Sequence, residues 1–207
     1  MVRRELYLDK IRPFIGADVV KVLTGIRRCG KTVMLGLLRE ELLRRGIPSS
    51  RMFSINFESG ADPEARSQES VYARIKTMAA NAKGKLYLFL DEVQEMEGWE
   101  RLVNACMIDF DFDIDIYITG SNAKMLSGEL ATYLGGRYVE IKIYPFSFKE
   151  VMDNYTQTKT PVNQVQAFAR YLVLGGMPFL YSHALDEASA KQYLRDIFNS
   201  IILKDIA

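Results

Sequence analysis

Residues 25–32 read Gly-Ile-Arg-Arg-Cys-Gly-Lys-Thr, and this octet restricts the local fold more than any other stretch of the chain. Gly25 and Gly30 carry no Cβ, so the backbone can turn sharply and another group can approach it closely. The apolar run Val19-Val-Lys-Val-Leu23 ahead of the octet reads as a buried strand. Behind it, Val33 to Arg45 reads as a helix, with Leu35, Leu38 and Leu42 at i, i+3 and i+7 forming an apolar stripe. Strand, glycine loop and helix in that order supply the context that the spacing G-x-x-x-x-G-K-[ST] needs to act as a phosphate-binding loop.

Successive N–H groups in such a loop form an anion-binding concavity, and the helix N-terminus adds unpaired donors and the positive end of its dipole. The predicted nucleotide-binding segment is therefore Gly25, Ile26, Arg27, Arg28, Cys29, Gly30, Lys31, Thr32 and Val33. Lys31 is expected to place its ammonium on the β- and γ-phosphates of ATP, and Thr32 its hydroxyl on Mg²⁺. A complementary half lies at Lys85-Leu-Tyr-Leu-Phe-Leu90-Asp91-Glu92, an apolar run ending in two carboxylates. Such a run reads as a parallel strand buried on both faces, which puts the acids at its carboxyl end, where open α/β sheets bind ligands. Asp91 is the predicted second protein contact to the metal shell. Glu92 is the predicted general base or water-positioning group.

Ile114-Asp-Ile-Tyr-Ile118 reads as a further strand ending in Thr119-Gly-Ser-Asn122. A polar side chain there could sense the γ-phosphate or the attacking water, with Asn122 and Ser121 as candidates; the same residues also suit an ordinary turn. Gly135-Gly-Arg137 precedes the last strand, Tyr138 to Ile143. Arg137 fits either a transition-state contact to a γ-phosphate, in its own subunit or across an interface, or a surface ion pair.

From Val19 to Ile143 strands and helices alternate, which predicts a parallel five-stranded sheet with helices on both faces. Beyond Pro145 only helical patterns remain, over Ser147–Met152, Val165–Leu174 and Glu187–Ile206. The expected division is residues 1–145 as a nucleotide-binding core and 146–207 as a small helical region, the start of a lid or second domain. Its last apolar stripe has no capping signal, which points to a fragment of a longer polypeptide. Helical pieces are expected over Met125–Leu134. The 48% hydrophobic content supplies a core, and a formal net charge of +1 excludes a strong basic field. Arg3, Arg4, Arg44 and Arg45, with Arg27 and Arg28 facing solvent, make the N-terminal part locally basic and are the sequence's pointer toward a polyanion. Cys29 and Cys106 suggest free thiols rather than a disulfide framework. The N-terminus does not read as a signal peptide, and no apolar run approaches the length of a membrane span, so a cytoplasmic location is expected.

Other features read as structural. Asp109-Phe-Asp-Phe-Asp-Ile-Asp115 lacks His or Cys neighbours and an EF-hand glycine, so it is expected to lead, solvated, into the strand. His183 is the only histidine and has no Gly-x-Ser-x-Gly beside it, which suits a surface residue better than a triad. Trp99 with Leu102, Val103 and Cys106 fits one packing face of a helix.

Together the motifs resemble the AAA+ P-loop ATPases, and more narrowly a prokaryotic, mostly uncharacterised branch of them. The matching residues are Gly25 to Thr32, Leu90-Asp-Glu-Val-Gln94, Thr119-Gly-Ser121, Gly136-Arg137, Tyr144-Pro-Phe-Ser-Phe148, Tyr171 to Pro178 and Lys204-Asp-Ile. The resemblance implies a AAA+-type sheet with the loop-bearing strand central. It also implies ATP/ADP and Mg²⁺ as ligands, and Lys31, Thr32, Asp91 and Glu92 in the roles given above. A further C-terminal portion related to restriction-endonuclease-like folds or DNA-associated modules is implied as well. The lid arginine that many AAA+ proteins set on the γ-phosphate has no identifiable counterpart. The expected function is Mg-dependent ATP binding and hydrolysis coupled to a partner protein or a homo-oligomer. A nucleotide-gated switch with slow hydrolysis, a DNA-associated ATPase and a small-molecule kinase are the alternatives.

Overall fold

The computed structural model describes residues 2–62, 67–108, 113–121 and 134–205. Five strands form one sheet: β1 (Val20–Gly25), β2 (Met52–Asn56), β3 (Leu86–Asp91), β4 (Ile114–Ser121) and β5 (Tyr138–Lys142). All four pairings are parallel, in the order β2-β3-β4-β1-β5. The loop-bearing strand β1 is thus an inner strand, but the middle place expected for it belongs to β4. This matters for the site, because β4 separates the lysine-bearing strand from the acid-bearing one.

β1 and β3 are buried at every position, which follows from cover on both faces. On one face, α3 (Gln68–Asn81) and α4 (Trp99–Ile108) pack Val71, Ile75, Trp99, Leu102, Val103 and Cys106 against Val20, Val22, Leu88, Leu90, Ile116 and Ile118. On the other, α1 (Glu5–Ile11) and α2 (Lys31–Arg44) pack Leu8, Ile11, Met34, Leu38 and Leu42 against Leu23, Phe89, Tyr117 and Ile141. The Phe89 and Tyr117 rings stack at 5.1 Å between centroids. The stripe read from Leu35, Leu38 and Leu42 is therefore a docking face, and Trp99 is helix-face packing.

After β5 the described chain is helical: α5 (Phe148–Gln157), α6 (Gln164–Leu174), a short α7 (Phe179–Ser182) and α8 (Glu187–Asp205). α7 is not legible in the sequence, because the Gly-Gly and Pro signals around it read only as a break. Ser147 and Glu150 form a reciprocal capping box on α5, and Asn163 caps α6. These helices enclose a third core of Val151, Leu174, Met177, Leu180, Ala190 and Ile197. They are tied back to the linker after β5 by the Phe146 N–H donating to the Gly176 carbonyl at 2.7 Å. A side chain at Gly176 would put its Cβ 1.8 Å from the Phe146 oxygen, so this contact demands glycine. Among the described residues no helix is long and apolar enough to cross a membrane.

Two readings of charge change. Asp115 does not lead solvated into its strand: it is fully buried and paired with the equally buried Lys21. Asp115 also accepts from the Tyr117 hydroxyl and the Gly16 N–H, each at 2.8 Å, while Lys21 donates to the Ala17 carbonyl at 2.8 Å. Alternation assigns Asp115 a face, and the fold covers that face. Residues 109–112 lie outside the described set, as do 122–133, which carry most of the expected Met125–Leu134 helical pieces. Nor do the N-terminal arginines form an open basic surface. Arg4 is buried, and Arg3, Arg12, Arg44 and Arg45 converge on the Glu41 carboxylate, whose pKa is lowered chiefly by Arg12.

Because a buried charge stripped of its partner is the costly case, Lys21→Met is expected to lower unfolding free energy by roughly 3 kcal/mol. Urea denaturation checks it; a loss under about 1 kcal/mol would show that Asp115 finds water or another partner.

Candidate active site

The carboxyl ends of β1, β3 and β4 meet in one cleft. β1 runs into Gly25, where a Cβ would sit 2.3 Å from the Ile143 carbonyl and 2.8 Å from the Cys29 sulfur. Only glycine fits there. The loop then reaches Gly30, in the left-handed region at φ 104°, and α2 begins at Lys31 with no side chain capping its first turn. A helix start without a capping side chain leaves its donors for a ligand.

Lys31 is 3% exposed and lies inside this cleft. Its ammonium donates to the Gly25 and Ile26 carbonyls at 3.2 and 3.4 Å and stands 3.5 Å from the Glu92 carboxylate. The loop lysine and the strand-end acid, 61 positions apart in sequence, are thus direct neighbours. Asp91 is 4% exposed. Its carboxylate accepts from the Thr119 hydroxyl and, at 2.8 Å, from the Asn56 amide, and the Thr32 hydroxyl lies near enough to favour its ionised form. Burial pushes its pKa up, Thr119 and Thr32 pull it down, and the adjacent Glu92 charge raises it again. Glu92 takes a left-handed backbone, φ 52°, rare for a residue with a side chain. Its N–H donates to Thr119 Oγ1 at 2.9 Å, and its carboxylate accepts from the Gln94 amide at 2.6 Å.

Sequence alone assigns no role in the site to Thr119, Asn56 or Gln94. Thr119 and Gln94 stand inside matching motifs without a stated role of their own, and Asn56 is only one polar residue at the end of a mainly apolar run. Of the two sensing candidates, Ser121 is 3% exposed and lies opposite Gly25 in the β1–β4 register. Asn122 lies outside the described residues. Arg27 does not simply face solvent: it reaches Glu58 at 3.4 Å and Glu95 at 3.8 Å across the cleft mouth. Arg28 is exposed, with its guanidinium 5.7 Å from the Tyr193 ring of α8. Cys29 is buried, and burial raises its pKa, so it is a packed thiol and not a reactive thiolate. Val33 is exposed at the first turn of α2.

Arg137 is not brought to this cleft in its own chain. It is exposed just before β5, where its carbonyl accepts from the Val20 N–H at 2.9 Å. Val20 begins β1 and Gly25 ends it, so about 17 Å of strand separates Arg137 from the loop. His183 is a surface residue stacked on Phe179 at 4.1 Å.

The donor set suits a small hard cation. A hydroxyl and a buried carboxylate side by side are oxygen ligands of the kind that hold Mg²⁺ together with phosphate oxygens and water. Among the described residues no group of three or more His, Cys, Asp or Glu could hold a metal without such help.

A family model described as "AAA domain" matches residues 17–152, well over half of the chain and all of the cleft. The chain belongs to the AAA domain family. Two curated proteins are similar to it in sequence. An uncharacterised protein of Haemophilus influenzae is 41% identical over 209 residues, covering 100% of this chain and 51% of that protein. Uncharacterized protein MJ1544 of Methanocaldococcus jannaschii is 27% identical over 194 residues, covering 90% and 42%. The chain thus spans about half the length of the curated relatives it matches. Among solved structures, AMPPCP-bound DnaA from Aquifex aeolicus superposes with a TM-score of 0.61 at 14% identity, covering 98% of this chain and 64% of that one. The Thermotoga maritima RuvB Holliday junction branch migration motor gives 0.56 at 16%, covering 99% and 65%. At these identities the likeness is one of fold.

The buried Asp91 carboxylate carries a linkage consequence. Its pKa is raised on folding, so its ionised form costs stability; the cost is absent below the unfolded pKa and complete above the folded one. Asp91→Asn is expected to raise Tm at pH 7. The gain should shrink toward pH 4. Thermal unfolding at both pH values checks this, and a lower Tm at pH 7 would contradict it.

Proposed function

We propose that this AAA domain binds ATP with Mg²⁺ between the 25–33 loop and the β3 end, and hydrolyses it. The observation that carries the reading is the meeting of Lys31 with Glu92 at 3.5 Å, beside an Asp91 that Thr119 and Asn56 both hold. The loop amides from Gly25 to Val33 hold the phosphate tail, and Lys31 neutralises its β- and γ-oxygens. Thr32 and Asp91 are the protein groups that hold the magnesium ion, which when bound neutralises charge on the phosphates. Glu92 accepts the proton of the attacking water, and Ser121 or Asn122 orients that water or the γ-phosphate. Family membership and the AMPPCP bound to the similarly folded DnaA support the nucleotide.

The position of Arg137 supports a contribution across an interface rather than in its own site. It is exposed, arginine suits a developing phosphate charge, and its own loop is out of reach. This reading makes full activity depend on a second copy of the chain or on a partner.

A second reading has specific support: a nucleotide-gated switch with slow turnover. The Glu92 carboxylate is engaged by both Lys31 and Gln94, so it must leave at least one of them to act as a base. The DNA-associated alternative draws on fold neighbours such as an Aeropyrum pernix ORC1 protein in complex with DNA. The arginine cluster gathered on Glu41 gives it no further support.

Glu92→Gln is expected to retain ATP affinity and lose turnover by about 100-fold or more. Lys31→Ala is expected to weaken ATP binding in calorimetry. Undiminished phosphate release by the first, or unchanged affinity in the second, would refute the assigned roles. Single-turnover kinetics at stoichiometric ATP separate the readings, since fast unassisted hydrolysis excludes the slow switch. For Arg137, mixing Arg137→Ala chains with Glu92→Gln chains should recover part of the turnover that each lacks; no recovery means no contribution across an interface.

A further inference from the structure

The loop motif does not contain the side chain that braces it. Arg4 is the largest fully buried side chain among the described residues, at 1% exposure, and it is a cation. Its planar guanidinium carries five N–H donors in a fixed fork, and they reach three separate parts of the molecule. Nε donates to Glu150 at 2.7 Å, Nη1 to the Cys29 carbonyl at 3.0 Å and Nη2 to the Tyr144 carbonyl at 2.7 Å. Longer contacts of 3.4 Å reach the Pro145 carbonyl and the second Glu150 oxygen. The guanidinium carbon lies 4.5 Å from the Tyr7 ring centroid and 5.2 Å from that of Phe146. So complete a set of partners around a buried arginine fixes its position closely.

The Cys29 contact bears directly on the loop. In a trans peptide the carbonyl and the following N–H point in opposite directions. A Cys29 carbonyl turned onto Arg4 therefore turns the Gly30 N–H away from Arg4, immediately before Lys31. Gly30 sits at φ 104°, and glycine has little intrinsic preference to keep that peptide in one orientation. The Arg4 contact supplies the preference. The opposite end of the fork rests on Glu150, whose carboxylate also accepts from the Ser147 N–H at 2.8 Å and so closes the capping box that starts α5.

We infer that Arg4 is a positioning residue for the phosphate loop: its fork orients the Cys29–Gly30 peptide and joins it to the first helix after β5. The ligand in this inference rests on the nucleotide reading above; the orientation of the peptide does not.

The test uses the full chain with Arg4→Lys, which keeps the charge but cannot fork to Cys29, Tyr144 and Glu150 together. Tyr7→Phe is the control. It removes the 3.0 Å contact from the Tyr144 N–H to the Tyr7 hydroxyl, loosening the same junction without touching Cys29. The first readout is hydrogen exchange of residues 25–33 without nucleotide, and the second is calorimetric affinity for ADP. Arg4→Lys is expected to speed exchange in 25–33 and to weaken ADP binding, each about 10-fold, while Tyr7→Phe stays near wild type in both. If Arg4→Lys does not fold, Glu150→Gln removes the anchoring charge and should move both readouts in the same direction by a smaller factor. Unchanged exchange in the folded variant, equal effects in Tyr7→Phe, or faster exchange with undiminished ADP affinity would overturn the inference and leave Arg4 a structural rivet. Wild-type chain that fails to bind ADP, with exchange still responding to Arg4→Lys, would overturn the nucleotide reading and uphold the orientation of the peptide.

Discussion

A parallel strand covered on both faces can place polar groups only at its ends, and the cleft follows from that constraint. β1 and β3 have no exposed position, so their chemistry collects where they stop: a glycine loop after one, two acids at the end of the other. The strand between them, β4, adds the Thr119 hydroxyl. That single group donates to Asp91 and accepts from the Glu92 N–H, so it sets both acids at once. Insertion of β4 also sets the span of the cleft. Two strand spacings, about 9.5 Å, separate the backbone of β1 from that of β3, and the long Lys31 side chain crosses enough of it to meet Glu92.

The electrostatics of this small volume are nearly balanced. One ammonium faces two carboxylates, and burial already works against the ionisation of Asp91. A phosphate tail with its cation would alter that balance in a definite way. Its negative charge would compete with Glu92 for Lys31, and a cation beside Thr32 and Asp91 would favour the ionised carboxylate that burial disfavours. Glu92 would then be held by Gln94 alone. Its left-handed backbone is a strained conformation of the kind that persists where the surroundings over-determine it.

Much of this is legible in the sequence because the informative residues are contiguous. Gly25 to Thr32 and Leu86 to Glu92 carry their meaning in spacing and in an apolar run, which survive without knowledge of neighbours. Asn56, Thr119 and Gln94 do not, since each becomes part of the site only through contacts with Asp91 or Glu92. The charged residues show the same limit more sharply. Asp115 reads as solvated until the cover on its face is seen, and Arg4 reads as part of a basic tail until its five donors are traced. Arg3, Arg44 and Arg45 count as positive charge in sequence and as ligands of Glu41 in the fold. Net charge is additive along a chain; its placement is not. The strand that begins at Tyr138 is visible in its alternation, but only parallel register reveals that Arg137 stands at the end of the sheet away from the loop.

The 25–33 loop is also a wall shared by two hydrophobic cores. Ile26 packs against both the α1–α2 core and the core of the helical region, while its neighbour Arg28 leans over Tyr193 of α8. Close packing makes such a shared residue a poor place for independent motion, because displacing it opens contacts on both sides. The Gly176–Phe146 contact adds a second restraint, since its two backbones approach too closely to slide past a side chain. Whatever rearranges the loop must therefore either move the helices after β5 with it or pull Ile26 out of one core. Burial of apolar surface favours the first course, so the helical region and the loop are expected to move together.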